Sequence, residues 1–264
     1  MKKSFKILAN PKLNSPIMLA AWPGICNVSM IIANYLMKKI DFEKLAVIEA
    51  SHFFDPIGVV VKNNVIEKPQ FPQSKFYYWK NKRGSKDIVL FIGDDQPSTK
   101  GYELANCVID VGVHFKVSQI YTCAAALTRV HHTEEPKTWG VVSNQKLINE
   151  LEKYDLVQRG NLHISGLNGL LLGVAKEREI DGICLLGEVP SYATRMQNPI
   201  AAIAILKVLV KILGIEIDMF ELAQSASETK EKMKQVAAEA MGEYIDLFTE
   251  PIWENNDDIT DEEE

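Results

Sequence analysis

The sequence predicts a three-layer α/β/α fold on a mostly parallel sheet, with an antiparallel hairpin insertion and a C-terminal helical appendage. Three observations lead there. From residue 17 onward, apolar runs of strand length alternate with amphipathic segments of helix length, the pattern of a sheet covered on both faces. No internal repeat or low-complexity linker divides the body. At 264 residues, 47% hydrophobic and 24% charged, the chain has globular composition and room for one large domain or two ordinary ones.

The first strand is expected at 17–21 (IMLAA), continuously apolar as a strand buried on both faces must be. Trp22-Pro23-Gly24 makes a turn, followed by a helix over about 27–39 and a strand at 45–50. Between 53 and 81 the pattern breaks into short runs at 58–61, 65–67 and 75–79. Asn63-Asn64 between β-branched runs signals a hairpin there. A strand at 87–92, a helix at 99–114 and strands at 119–123 and 137–142 come next. A helix at 145–153, a short strand at 162–164, a helix at 170–178 and a strand at 182–186 complete the alternation. These elements make one α/β/α domain over 1–215.

Two C-terminal helices differ in kind. Residues 199–213 are apolar nearly all round, with Lys207 and Lys211 forming one thin polar strip, so this helix must be covered on more than one side. A central core position and contact with another subunit both meet that need. Gly214 is its natural stop. Asp218 reads as the N-cap of a long helix reaching about Gly242, within an appendage over 216–248. Its Leu222, Ala226, Thr229, Met233, Val236 and Ala240 step by four and three, a narrow a/d seam. Such a helix can lie on its own domain or reach a partner as an antiparallel arm. The expected partner or oligomer face comprises Ile203, Leu206, Val210, Leu222, Met233, Val236 and Ala240.

The net charge of −6 is concentrated in an acidic tail, 249–264, expected to be disordered. It holds eight acids and no base, leaving 29 bases against 27 acids in the rest of the chain. That balance excludes a nucleic-acid footprint. Cys26, Cys107, Cys123 and Cys184 are scattered without a CxxC, which argues against a zinc module and a disulfide scaffold. No apolar run has the length of a signal peptide or a membrane span. The chain reads as soluble and cytoplasmic, with no membrane partner.

Three loops with glycine lie at expected strand ends: Pro23-Gly24 with Asn27 behind it, Gly93-Asp94-Asp95-Gln96, and Gly166-Leu167-Asn168-Gly169. In an open α/β sheet that edge is where a ligand crevice forms. Gly24, Asn27, Asp94, Gln96, Gly166, Asn168, Gly169 and Glu188 are the crevice candidates, Asp94 and Glu188 being the acid/base pair. Neither GxxxxGK[ST] nor GxGxxG occurs, so nothing names a nucleotide. Cys26 near a helix start reads either as an activated thiol or as a small buried hydrophobe. Adjacent His131 and His132 with Glu134 and Glu135 read as a solvated loop, because neighbours on a strand point to opposite faces. His52 with Asp55 gives no defensible catalytic pair, and no GxSxG elbow is present. No metal, cofactor or catalytic residue is expected.

Taken together these segments resemble the PAC2 family, named for the proteasome assembly chaperones, over about residues 17–240. PGICNV is similar to the family's opening turn, GDDQPSTKGYELANCVID to its loop and helix, and NPIAAIAILKVLVKILGIEID to its closing helix. SGLNGLLLG followed by GICLLGEVP is the most specific match. The resemblance implies a fold related in outline to nucleoside phosphorylases, homo-oligomeric assembly, and a role as a protein-assembly chaperone without catalysis. Its partners would be itself and proteasome subunits or another protein. Cys26 and Ser29 stand where the family has glycines, and Ala124-Ala125-Ala126 replaces a glycine-bearing turn. DDITDEEE differs from the hydrophobic-Tyr-x terminus by which some assembly factors dock. The alternative function is an enzyme or small-molecule binder holding a phosphorylated or nucleoside-like ligand in the crevice.

Overall fold

The computed structural model describes residues 4–55, 58–82, 86–158 and 163–249, with side chains described through 238. In chain order the strands are β1 (Phe5–Ile7), β2 (Ile17–Ala21), β3 (Glu43–Ile48), β4 (Val61–Lys62), β5 (Val65–Ile66), β6 (Ser74–Trp79), β7 (Ile88–Gly93), β8 (Gln119–Thr128), β9 (Thr138–Val142) and β10 (Asp181–Pro190). The helices are α1 (Val28–Lys39), α2 (Gly101–His114), α3 (Ile148–Leu151), α4 (Leu167–Glu177), α5 (Pro199–Leu213) and α6 (Phe220–Thr249).

Among the described residues, eight strands form one sheet in the order β1-β3-β6-β7-β2-β8-β10-β9. Parallel pairing is confined to the centre, β7-β2-β8-β10, and the remaining pairs are antiparallel. The sheet is therefore mixed, because β6, expected within the insertion, returns beside β7 and carries β3 and β1 with it. Only β4 and β5 stand apart, as a hairpin whose two loop residues, Asn63 and Asn64, both have positive φ. That is the conformation a two-residue hairpin loop demands and asparagine tolerates.

β2 is buried along its whole length. Ile17, Leu19 and Ala21 point into the layer containing α1 and α5, while Met18 and Ala20 point with Trp22 into the layer containing α2 and α4. The period of two thus fills both cores from one strand. α5 begins where expected: Asn198 caps it by accepting from the Ala201 amide at 2.9 Å, and Pro199 opens it. It ends on Gly214 at φ 61. Gly187 of β10 lets this helix approach closely, since a Cβ there would meet the Ala201 carbonyl oxygen at 2.7 Å.

Three local expectations need correction. Residues 163–165 are irregular rather than a strand, and Leu162 lies outside the described residues. α4 starts at Leu167, not at 170, because Gly166 at φ 73 turns the chain directly into it. β8 stops at Thr128, so His131 and His132 lie in a turn and their rings stack with centroids 4.0 Å apart instead of facing opposite ways.

α6 runs back along α5 and is anchored at its start to α1. Tyr35 donates to the Asp218 carbonyl at 2.9 Å, Lys39 pairs with Asp218 at 3.2 Å, and Lys38 pairs with Glu221. The Asp218 carboxylate also accepts from the Phe220 amide at 2.9 Å, as a cap does. Further along, Met233 is 1% exposed and lines a recess with His131, His132, Asn198 and Ile200.

Candidate functional site at the strand ends

The C-terminal ends of β2, β7 and β8 and the start of α4 meet around a cleft of about 170 Å³. Of the sequence candidates, Gly24, Gln96, Gly166 and Asn168 line it, joined by Ile25, Ser29, Ala124, Ala125 and residues 163–165. Asn27, Asp94, Gly169 and Glu188 do not line it.

The two amide side chains in the cleft are engaged with the protein itself. Asn168, 3% exposed, accepts from the Trp22 amide and donates to the Trp22 carbonyl, both at 3.2 Å. Trp22 has just left the β2 ladder, so these are the bonds its backbone lost at the strand end. Ser29 adds a longer contact to the same Asn168 oxygen at 3.5 Å. Gln96 accepts from the Leu167 amide at 2.8 Å and donates to the Pro23 carbonyl. One glutamine thus ties the β7 loop to both the β2 loop and the start of α4. Gly166 must lack a side chain here: besides its positive φ, a Cβ would sit 2.7 Å from the Gln96 oxygen.

The proposed acid/base pair is similarly occupied. Asp94 accepts from the Gln73 amide at 3.1 Å. Glu188 accepts from the Lys137 amide at 2.9 Å and the Trp139 indole at 3.0 Å, pinning β9 to β10. Asn27 and Cys26 adopt consecutive left-handed conformations at φ 55 and 53 in the turn before α1. Cys26 is 5% exposed, with its sulfur 3.4 Å from the Ala193 carbonyl oxygen, and burial pushes its thiol up to about 11. It behaves as a buried small side chain, not as a nucleophile. Burial also pushes Cys107 and Cys184 up to about 12.

His52 pairs with Glu103 at 3.1 Å rather than with Asp55. His131 meets the Thr133 hydroxyl at 2.7 Å and His132 the Tyr192 hydroxyl at 3.0 Å. Among the described residues, no group of three or more histidine, cysteine or acidic side chains is placed to hold a metal. No described helix is long and apolar enough to cross a membrane.

On the expected partner face, Leu206, Leu222 and Met233 are buried by the chain itself, at 0%, 5% and 1% exposure. Ile203, Val210 and Val236 are half-buried, and the Ala240 side chain lies outside the described residues. Sequence reasoning missed a different surface, the β4–β5 hairpin, where Val59, Val60, Val61, Val65 and Ile66 are all exposed. Its signal was present: two β-branched runs too short to reach the sheet.

The sequence profile of the PAC2 family matches residues 18–237, from β2 through the cleft and into α6 beyond Met233. The chain belongs to the PAC2 family. Within it, the uncharacterized protein MJ1210 of Methanocaldococcus jannaschii is 29% identical over 229 residues, covering 85% of this chain and 84% of its own. The crystal structure of Pyrococcus furiosus PbaB, an archaeal proteasome activator, matches with a TM-score of 0.75 at 29% identity, over 90% of this chain and 100% of that one. PbaA of the same organism, an archaeal homolog of proteasome-assembly chaperone, shares the fold at a TM-score of 0.65 and 23% identity, over 90% and 99% of the two chains. Like those structures, this PAC2 chain is an α/β protein with helices on both faces of its sheet.

Proposed function

We propose that this PAC2 chain is a non-catalytic protein-binding module of the proteasome-assembly-chaperone type, working as a cytoplasmic homo-oligomer whose partners are proteasome subunits. The observation that carries the reading is the use of the strand-end polar groups. Asn168, Gln96, Asp94 and Glu188 each satisfy backbone groups of neighbouring loops, so the crevice is a brace that fixes the domain's surface. Its free volume of about 170 Å³ is below the roughly 300–1,000 Å³ of small-molecule pockets. The likeness to PbaB, named as a proteasome activator, supplies the class of partner. The 1–215 domain presents this surface, and the appendage and acidic tail extend from it.

Native mass spectrometry of the untagged protein, isolated gently from its own host, tests the reading. The expected spectrum shows an oligomer of this chain, with proteasome subunits in part of the population. A monomer that carries a small bound mass and fails to bind the purified core particle of the same host overturns it.

A further inference from the structure

The β4–β5 hairpin has no cover, and an apolar groove lies close to its root. Its five aliphatic side chains are between 45% and 68% exposed. A two-stranded hairpin is marginal in water without a third strand or a packed face, and adjoining exposed aliphatics are the surface that associating proteins bury. The groove, of about 610 Å³, runs between β1, the turn after β3 and α2. Phe5, Phe53, Tyr102 and Val113 form its apolar wall, with Tyr102 and Val113 half exposed, and Glu103 and Asp110 supply its charge.

Hairpin and groove match in sign as well as in polarity. Over 58–68 the hairpin carries Lys62 and Lys68 against Glu67, a net positive segment. The groove's Glu103 and Asp110 are offset by Arg178, 2.9 Å from Asp110, with His52 and His114 alongside. With both histidines neutral the groove is net negative. The hairpin stands clear of its own groove, none of residues 59–66 lining it. Yet Val59 follows Phe53 by six residues, a span of at most about 20 Å. Hook and socket therefore share one side of the molecule.

We propose that two copies of this chain exchange hairpins, each seating residues 59–66 in the groove of the other. Because both elements lie on one side, a single two-fold axis satisfies both contacts, and the interface closes. The exchange rests on the self-association half of the reading above and not on the identity of any other partner.

Native mass spectrometry and light scattering of the full chain, at tens of micromolar, test it with two variants. Val60→Asp/Val65→Asp disables the hairpin and Val113→Lys disables the groove. All three positions are about half exposed or more, so both proteins fold, which circular dichroism verifies. Each variant is expected at half the native mass of the wild type. Mixed in equal amounts, they are expected to form a heterodimer, since the hairpin variant still offers a groove and the groove variant a hairpin. Wild-type mass in either variant, or a mixture that stays dissociated, overturns the exchange and leaves the self-association reading standing. A monomeric wild type overturns both.

Discussion

Replacing Asn168 with alanine separates a brace from a ligand-binding group, and the structure sets the size of the effect. The side chain serves two backbone groups of Trp22, a residue with no exposed surface, through bonds of 3.2 Å each. Deleting it leaves one N–H and one C=O without their partner, each costing about 1–3 kcal/mol when buried. The adjoining cleft of about 170 Å³ admits water, which recovers part of that loss. A net destabilisation of about 2–3 kcal/mol follows, which for a chain of this size lowers the melting temperature by about 5–10 °C. Urea unfolding followed by circular dichroism measures it, with the m-value unchanged. Asn168→Asp sharpens the result: it can still accept from the Trp22 amide, but its second oxygen then faces the Trp22 carbonyl. That variant is expected to be as unstable as the alanine at neutral pH and to recover relative to wild type in acid, where a protonated carboxyl donates. A change below about 0.5 kcal/mol in Asn168→Ala refutes the brace, because a surface group held ready for a ligand has no such cost to release.

Gly169→Ala is expected to destabilise by about 1–3 kcal/mol, since the new Cβ would collide with the fixed Ile164 carbonyl, whereas Gly173→Ala on the same helix meets nothing and gains up to about 1 kcal/mol. Paired melting curves check both signs. Met233→Ala is expected to cost about 2–4 kcal/mol and to raise hydrogen exchange in residues 229–238 before the rest of the chain, because Met233 fills the recess beneath α6. Stability should rise with pH through the range just below 6.5 and level off above it. There the folded chain holds His132 below its ordinary value of 6.5, first by desolvation and then by His131, Lys230 and Lys234, against a smaller opposing pull from Glu231. The unfolded chain therefore binds the extra proton in that window. His132→Gln should flatten this part of the curve, and an unchanged slope in the variant refutes the assignment.

Much of the architecture was legible because burial on two faces leaves a direct mark on sequence. IMLAA could only be a central strand, and the ring of apolar residues on α5 required a sheet on one side and a second helix on another, which α6 supplies. The Asn63-Asn64 loop was equally direct, since its left-handed geometry narrows the residue choice. β1 was not legible: three residues, FKI, are too few to show a period, and their place is set by pairing with β3 far along the chain. The same non-local effect moved β6 from the insertion into the main sheet, because its exposed-looking alternation becomes half-buried only when β7 lies alongside.

For the crevice, sequence revealed the types of group and their common edge but not their partners. An amide at a strand end can meet a ligand or a backbone that has just left its ladder, and both uses leave the same letter in the chain. The deciding quantity is the supply of orphaned backbone groups, and here Trp22, Pro23 and Leu167 present them within reach of Asn168 and Gln96. Ser29 points the same way: its hydroxyl, 3% exposed, turns toward Asn168 at the helix start where a bound anion would need room and free amides. A site whose donors are already bonded must break those bonds before it binds anything, so each ligand contact begins with a deficit of about 1 kcal/mol or more. No such deficit burdens the hairpin, whose aliphatic surface gains by being covered. Binding capacity in this molecule therefore resides in its surface elements, and the strand-end polar groups hold those elements in place.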